Sequence, residues 1–220
     1  MDNYQSQLWD ASPQEALIIQ SQLSSCVIQK DDFSVINTIA GVDVGFHPDQ
    51  QNARAAIAML SYPELQKINS SVSETRIKFP YIPGLLSFRE VPSILSALEQ
   101  FHVKPDLLLC DGHGYAHPRR FGLACHLGVL TGIPTIGVAK SLLIGTHKIP
   151  GKTKGDWQPL IDHDETIGAV LRTRTDVKPV YVSIGHRISL KTALEVVIRC
   201  SSQYRLPDPL HQAHMLASNR

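Results

Sequence analysis

Three strand-like segments stand first in the chain, and helix-like and strand-like segments alternate after them. That order constrains the fold more than any single motif does. Strands joined by short turns pair antiparallel, whereas strands separated by helices form parallel crossovers. The pattern therefore predicts an α/β architecture, a mixed sheet flanked by helices, with an antiparallel portion near the N-terminus and parallel crossovers after it. No internal repeat or low-complexity linker interrupts the pattern. The 220 residues can bury a substantial core, so one domain over residues 1–220 is expected.

Breakers and periodicity place the segments. Ser12-Pro13-Gln14-Glu15 is a capping-box pattern with proline at the first helical position, and predicts a helix from about Pro13 to near Gln29. Thr38–Phe46 and Ala53–Ser61 read as strands, with a turn at His47-Pro48-Asp49, and residues 67–79 as an exposed strand. Ile94, Leu95, Leu98 and Phe101 recur at helical spacing. Asp106–Cys110 is a short apolar strand, Phe121–Thr131 a helix stopping at Gly132, and Pro134–Ala139 a buried strand. Strands over Ile167–Arg172 and Val180–Ile184, a helix over Ser189–Arg199 and a short helix in the tail complete the reading.

Net charge is +1, which says nothing of a polyanionic partner, but its distribution does. From Gly112 to Gly155 there is no Asp or Glu, while Arg119, Arg120, Lys140, Lys148, Lys152 and Lys154 give +6, leaving −5 on the rest. Such a tract suits a phosphate-binding face; the plainer alternative is a solvated basic surface. The four cysteines, Cys26, Cys110, Cys125 and Cys200, form no CxxC pair or zinc spacing, and read as buried reduced thiols of a cytoplasmic protein. The first residues lack the pattern of a signal peptide, and no apolar run is long enough to span a membrane. No nucleotide-binding glycine motif or hydrolase elbow occurs.

Asp43 sits inside an apolar strand. By parity it shares a face with Ile39, Gly41 and Gly45, whose glycines leave space beside it. A carboxylate there needs a partner, and a hard cation is one; an arginine or a turn to cap is the alternative. Asp111 ends the run DLLLC at a strand's carboxyl end, where α/β sheets form sites, and opens a loop carrying Gly112, Gly114, His113 and His117. Glu90 completes the pattern Ser87-Phe88-Arg89-Glu90, so by itself it reads as a capping residue. Tyr81, between Pro80 and Pro83, is either a stiff aromatic that stacks on bases or a cover for a core edge. Lys140 ends a strand and can hold a phosphate as a point charge, and His211 and His214 stand at helical ligand spacing. For each, an ordinary surface role is the alternative.

Taken together, IAGVDVGF, PYIPGLLSFRE, PDLLLCDGHGYAHPRRFGLACHLG, PTIGVAKSLL, GHRISLKTAL and YRLPDP resemble the endonuclease V family along nearly the whole chain, in the right order. The resemblance implies a ribonuclease H-like fold. It implies that Asp43, Glu90 and Asp111 form an acidic site for Mg²⁺, with Mn²⁺ able to substitute, that His214 assists it, and that Lys140 contacts the scissile phosphate. Tyr81, within Pro80-Tyr81-Ile82-Pro83, would fill the gap left by an extruded base, and Gly84, Leu86, Gly112 and His117 would help build the base pocket. The implied activity is a DNA-repair endonuclease acting on deoxyinosine. It hydrolyses the second phosphodiester 3′ to the lesion and leaves 3′-hydroxyl and 5′-phosphate ends. The expected partner is inosine-containing DNA, or inosine RNA, met by a monomer without a membrane. Two metals roughly 3.5–4 Å apart can stabilise both ends of an in-line displacement at phosphorus. Alternatives are an inosine-specific endoribonuclease on the same fold and a non-catalytic nucleic-acid-binding module, whose mark would be a lost acid. A recombinase-like enzyme with related acids is opposed by the PYIP segment.

Overall fold

In a computed structural model of the protein, residues 9–49 and 51–218 are described; the extreme ends of the expected 1–220 domain lie outside them. The sheet has eight strands: β1 (Thr38–Phe46), β2 (Asn52–Ser61), β3 (Lys67–Arg76), β4 (Leu107–Cys110), β5 (Thr135–Ala139), β6 (Trp157–Asp162), β7 (Glu165–Leu171) and β8 (Val180–His186). Their order is β3-β2-β1-β4-β5-β8-β7-β6. The helices are α1 (Pro13–Ser24), α2 (Leu86–Glu99), α3 (Leu123–Thr131), α4 (Leu190–Arg199) and α5 (Asp208–Ala217). The α/β expectation is met, in a mixed sheet of the ribonuclease H-like kind.

The antiparallel N-terminal meander is as expected: β1 pairs with β2 and β2 with β3. Parallel pairing is confined to β1–β4 and β4–β5. The expected run of parallel crossovers stops there, because β8, β7 and β6 all pair antiparallel. Strand β6 has no counterpart among the segments expected from sequence. Pro159 interrupts its pattern, and a strand with an internal proline is tolerated only at an edge, which is where β6 lies.

Two helices also depart from expectation. The Ser12 capping box forms, with Ser12 Oγ accepting from Glu15 N and Glu15 accepting from Ser12 N, but α1 ends at Ser24 rather than near Gln29. Past Ser24 there is no further buried residue to hold another turn: only Ala16 and Gln20 of α1 are buried. Helix α2 starts at Leu86, well before Pro92, which lies inside it. Helix α3 ends as expected, on Gly132 in the left-handed region at φ 70°.

Alternation along the strands divides the core. Ala40, Val42, Leu108 and Cys110 face α2 and α3, packing with Val91, Ile94, Leu98 and Leu127. Ile39, Leu107, Leu109, Ile136 and Val138 face the other way, against Ala193, Leu194 and Val197 of α4 and Leu210 and Ala213 of α5. The glycine face of β1 is not open space. A Cβ on Gly41 would stand 2.1 Å from the Pro209 carbonyl, and one on Gly45 would stand 2.8 Å from Ala217 O. Helix α5 thus lies against the backbone of β1, and glycine is the residue that permits it. The cysteines are free thiols; Cys110, Cys125 and Cys200 are buried as expected, whereas Cys26 is exposed, just past the end of α1.

Because Gly41 has no room for a methyl group, Gly41→Ala should push α5 off the sheet. We expect a loss of about 1–3 kcal/mol in stability, on the scale of overpacking. Urea unfolding of the variant measures it; an unchanged midpoint would show that α5 is not held by this contact.

Candidate active site

The site grows from the carboxyl ends of two neighbouring strands. β1 carries Asp43, and the chain leaving β4 carries Asp111, whose N–H donates to Val42 O at 3.0 Å and so ties the two together. Helix α5 brings His214 to the same point, with Nδ1 2.7 Å from Asp43 Oδ2. One ligand atom each from Asp43, Asp111 and His214 lies within 4.8 Å of the others. His211 does not join them; its ring stacks on Tyr204 at 3.6 Å. Lys140, leaving β5, sets Nζ 2.5 Å from Asp111 Oδ2, and Arg205 holds the Lys140 carbonyl at 2.6 Å.

Glu90 is not a cap. The residue before α2 is Leu85, no side chain caps this helix start, and Glu90 is buried in the second turn of the helix. Burial raises its pKa well above the ordinary 4.5, and the charges of Asp43 and Asp111 raise it further. Asp111 is also raised, by burial and then by Asp43, while the Lys140 ammonium pulls it down. Two carboxylates and an imidazole converge here, with a third carboxyl next to them. That donor set is oxygen-rich, suits Mg²⁺ or Mn²⁺, and is under-compensated by its protein neighbours. The residues present therefore fit a hard divalent cation.

Beside the acids lies a cavity of about 200 Å³, smaller than the roughly 300–1,000 Å³ typical of sites for drug-sized ligands. Tyr81, Ile82, Pro83 and Gly84 line it, as do Leu86, Gly112 and His117; Pro80 does not. Tyr81 is 71% exposed, so it covers no core. Gly84 has φ 80°, and a Cβ there would meet Arg119 Nη2 at 2.7 Å. His117 is fully engaged: its Nε2 meets Gly84 O at 3.1 Å and its Nδ1 accepts from Arg119 N. Burial, then Arg119, lowers its pKa to about 4, so the ring is neutral at physiological pH. The starts of α2 and α3 both border this cavity, at Leu86, Ser87, Gly122 and Leu123, and neither has a side-chain cap. Backbone carbonyls accept from some of the N–H groups there, Leu85 O from Phe88 N–H, Gly114 O from Gly122 N–H and His113 O from Ala124 N–H, so the donors left along the wall are the N–H groups of Leu86, Ser87 and Leu123.

Sequence reasoning missed Gln20, which also lines the cavity from α1. Helical periodicity places a glutamine on a face, but nothing in the sequence shows its buried partners. The basic tract is less open than its composition suggests. Arg120 pairs with Asp162 and Glu165 at 2.9 and 2.7 Å, Arg119 bonds Gly84 O, Lys140 meets Asp111, and Lys154 bonds Ser201 O. Lys148 and Lys152 are exposed. Among the described residues, no helix is long and apolar enough to cross a membrane.

Comparison with known proteins bears on this geometry. The family model for Endonuclease V matches residues 21–215. Endonuclease V of Trichormus variabilis is 56% identical over 221 residues, covering 100% of both chains. The crystal structure of Endonuclease V from Streptomyces avermitilis superposes with TM-score 0.91 at 39% identity, covering 96% of this chain and 93% of that one. Endonuclease V of Ciona intestinalis, solved with a 23mer DNA containing an inosine followed by a ribo-adenosine, matches with TM-score 0.83 at 29% identity, covering 95% and 98%.

The raised Glu90 pKa carries a stability prediction. A folded pKa above the unfolded one means the native state holds the proton more tightly. Stability is then highest below about pH 4.5 and falls as pH rises toward the folded value. Glu90→Gln removes that loss. In EDTA, the variant should exceed the parent in stability at pH 8 by more than at pH 5, measured by urea unfolding. A variant less stable at both values would mean that the carboxyl group contributes a favourable native contact.

Proposed function

We propose that this chain, which belongs to the endonuclease V family, is a divalent-metal-dependent DNA-repair endonuclease that acts beside deoxyinosine and cuts the second phosphodiester 3′ to it, leaving 3′-hydroxyl and 5′-phosphate ends. The carrying observation is the convergence of Asp43, Asp111 and His214, with Glu90 and Lys140 beside them, next to a cavity bordered by two uncapped helix starts. We read residues 1–220 as one catalytic domain, acting as a monomer in the cytoplasm.

Asp43, Asp111 and Glu90 would hold the cation, with His214 assisting. When bound, Mg²⁺ or Mn²⁺ supplies Lewis-acid stabilisation of charge at the attacking and leaving oxygens. The chain's own residues do the rest. Lys140 sits where its ammonium can offset charge on a non-bridging phosphate oxygen as the transition state forms. His214, bonded to Asp43, orients that carboxylate and leaves its other oxygen to the backbone N–H of Val44. Both oxygens of Asp43 are thereby held before substrate arrives.

Base choice follows from donors. Deamination of adenine replaces the C6 amine with a carbonyl, an acceptor in place of a donor. The N–H groups at the starts of α2 and α3 favour an acceptor. The Gly84 carbonyl, which would accept from an amine, already receives Gln20, His117 and Arg119. Extruding the base costs a few kcal/mol, least for a poorly paired one. The exposure of Tyr81 at the mouth supports a role in stacking in the gap. Inosine in RNA presents the same base, and the pocket does not exclude it.

One assay tests the reading: labelled strands carrying a single inosine, as DNA and as RNA, with Mg²⁺ or with EDTA. We expect metal-dependent cutting of the DNA, abolished in Asp43→Ala and Asp111→Ala with the fold retained. Full activity in EDTA or in either variant would sink the acidic-site assignment. Faster cutting of RNA than of DNA would favour the ribonuclease reading. Lys140→Ala should slow single-turnover cleavage more than it weakens binding. Tyr81→Ala should cost about 1–3 kcal/mol on duplex DNA and less on single strands, where little stacking must be broken. Equal losses on both substrates would remove Tyr81 from base extrusion.

A further inference from the structure

Gln20 is fully buried, in the third turn of α1, and lines the cavity wall. Its Nε2 donates to Gly84 O at 3.0 Å and to Phe121 O at 2.7 Å, and its Oε1 accepts from Arg119 Nε. Both N–H donors and one acceptor direction of this amide are thereby used. The two carbonyls belong to parts of the chain far from Gln20 and from each other, 64 and 101 residues away. Gly84 lies two residues before α2, and Phe121 lies immediately before Gly122, the N-cap of α3. A single side chain therefore spans the two helix starts that border the cavity.

Little else explains the placement. Helix α1 buries only Ala16 and Gln20. A buried amide is costly unless satisfied, and an apolar residue would fill the position without that demand. Glutamate could not replace it, since a carboxylate has no donor and would face two carbonyl oxygens. Arg119 reinforces the arrangement by donating from Nη2 to the same Gly84 oxygen at 2.8 Å.

We propose that Gln20 is a positioning residue that sets the separation of the two walls of the base pocket, and through it the discrimination of a deaminated purine from an ordinary one. The specificity part rests on the proposed function; the clamp itself does not. When Gln20 is lost, the two helix starts are no longer joined, the pocket loosens, and N–H groups placed to meet a C6 carbonyl lose their register with it. Asp43, Asp111, His214 and Lys140 lie outside the clamp, and Glu90 stands one turn beyond it, held by the hydrogen bonds of α2 itself, so the cation site keeps its ligands.

The test compares the full-length parent with Gln20→Met, which keeps length and removes the polar groups, and with Gln20→Glu. Hydrogen–deuterium exchange on the free proteins reads the clamp. We expect faster exchange confined to residues 81–88 and 119–125, with Mn²⁺ affinity unchanged. Unchanged exchange there, or a general acceleration over the whole chain, would overturn the proposal. Single-turnover cleavage of single-stranded DNA carrying inosine or adenine at one position reads specificity. We expect the inosine-to-adenine rate ratio to fall about ten-fold or more in Gln20→Met, the scale of a buried carbonyl that loses its donor, and further in Gln20→Glu. A lower rate on both strands with an unchanged ratio would make Gln20 a stability residue and overturn its role in specificity. Should the parent cut no inosine strand, the proposed function fails, and the exchange result alone decides the clamp.

Discussion

Glu90 and Asp111 hold their protons more tightly than ordinary carboxyls because they share one poorly solvated space with Asp43. Like charges in such a space repel, and the fold does not relieve the crowding with protein cations alone. Lys140 meets Asp111 and His214 meets Asp43, while Glu90 has neither. Only a rigid frame can sustain this. Asp43 and Asp111 are fixed by adjacent parallel strands, Glu90 comes from α2 on one face of the sheet and His214 from α5 on the other. The close seat of α5 on Gly41 and Gly45 is therefore a requirement of the site as much as of the core.

Recognition and chemistry are built from the same pieces of chain. The end of β4 supplies Asp111 to the acids, and the next residue, Gly112, to the cavity wall. Helix α2 supplies Leu86 and Ser87 to the cavity and, one turn on, Glu90 to the acids. A base held at these helix starts is thus placed at a fixed distance from the acidic site. Separation along α2 is set by helical rise, about 1.5 Å per residue, rather than by any flexible linker.

Most strands are legible in the sequence because apolar runs bounded by breakers survive translation into a sheet almost unchanged; β1 has the bounds its sequence suggests. Strand β6 is hidden by Pro159, whose tolerance depends on an edge position that no local pattern announces. Asp43 and Asp111 stand out because a carboxylate within an apolar run, or ending one, is anomalous by sequence pattern alone. Glu90 does not, since a capping box and a buried acid share one sequence pattern, and only the position of Leu85 before the helix separates them. The glycines beside Asp43 are legible as space but not as to what fills it. Their neighbour is the backbone of α5.

The difference between the two halves of the site has a physical origin. Charge at a reaction centre must come from side chains, because only they carry formal charge, so the acids and Lys140 are written in residue identity. Selection between a carbonyl and an amine needs neutral donors in fixed directions, and backbone N–H groups supply these whatever the residue is. Part of the cavity's polarity comes from where α2 and α3 begin, a property of chain geometry, and part from Gln20, His113 and His117 in its wall. Such donors have to be held in place by groups that may be far away in sequence, and a buried amide with both its donors engaged is well suited to that task. The capping box of α1 is then part of the pocket's construction: it fixes where the helix starts, and so where Gln20 falls, two turns later, between Gly84 and Phe121.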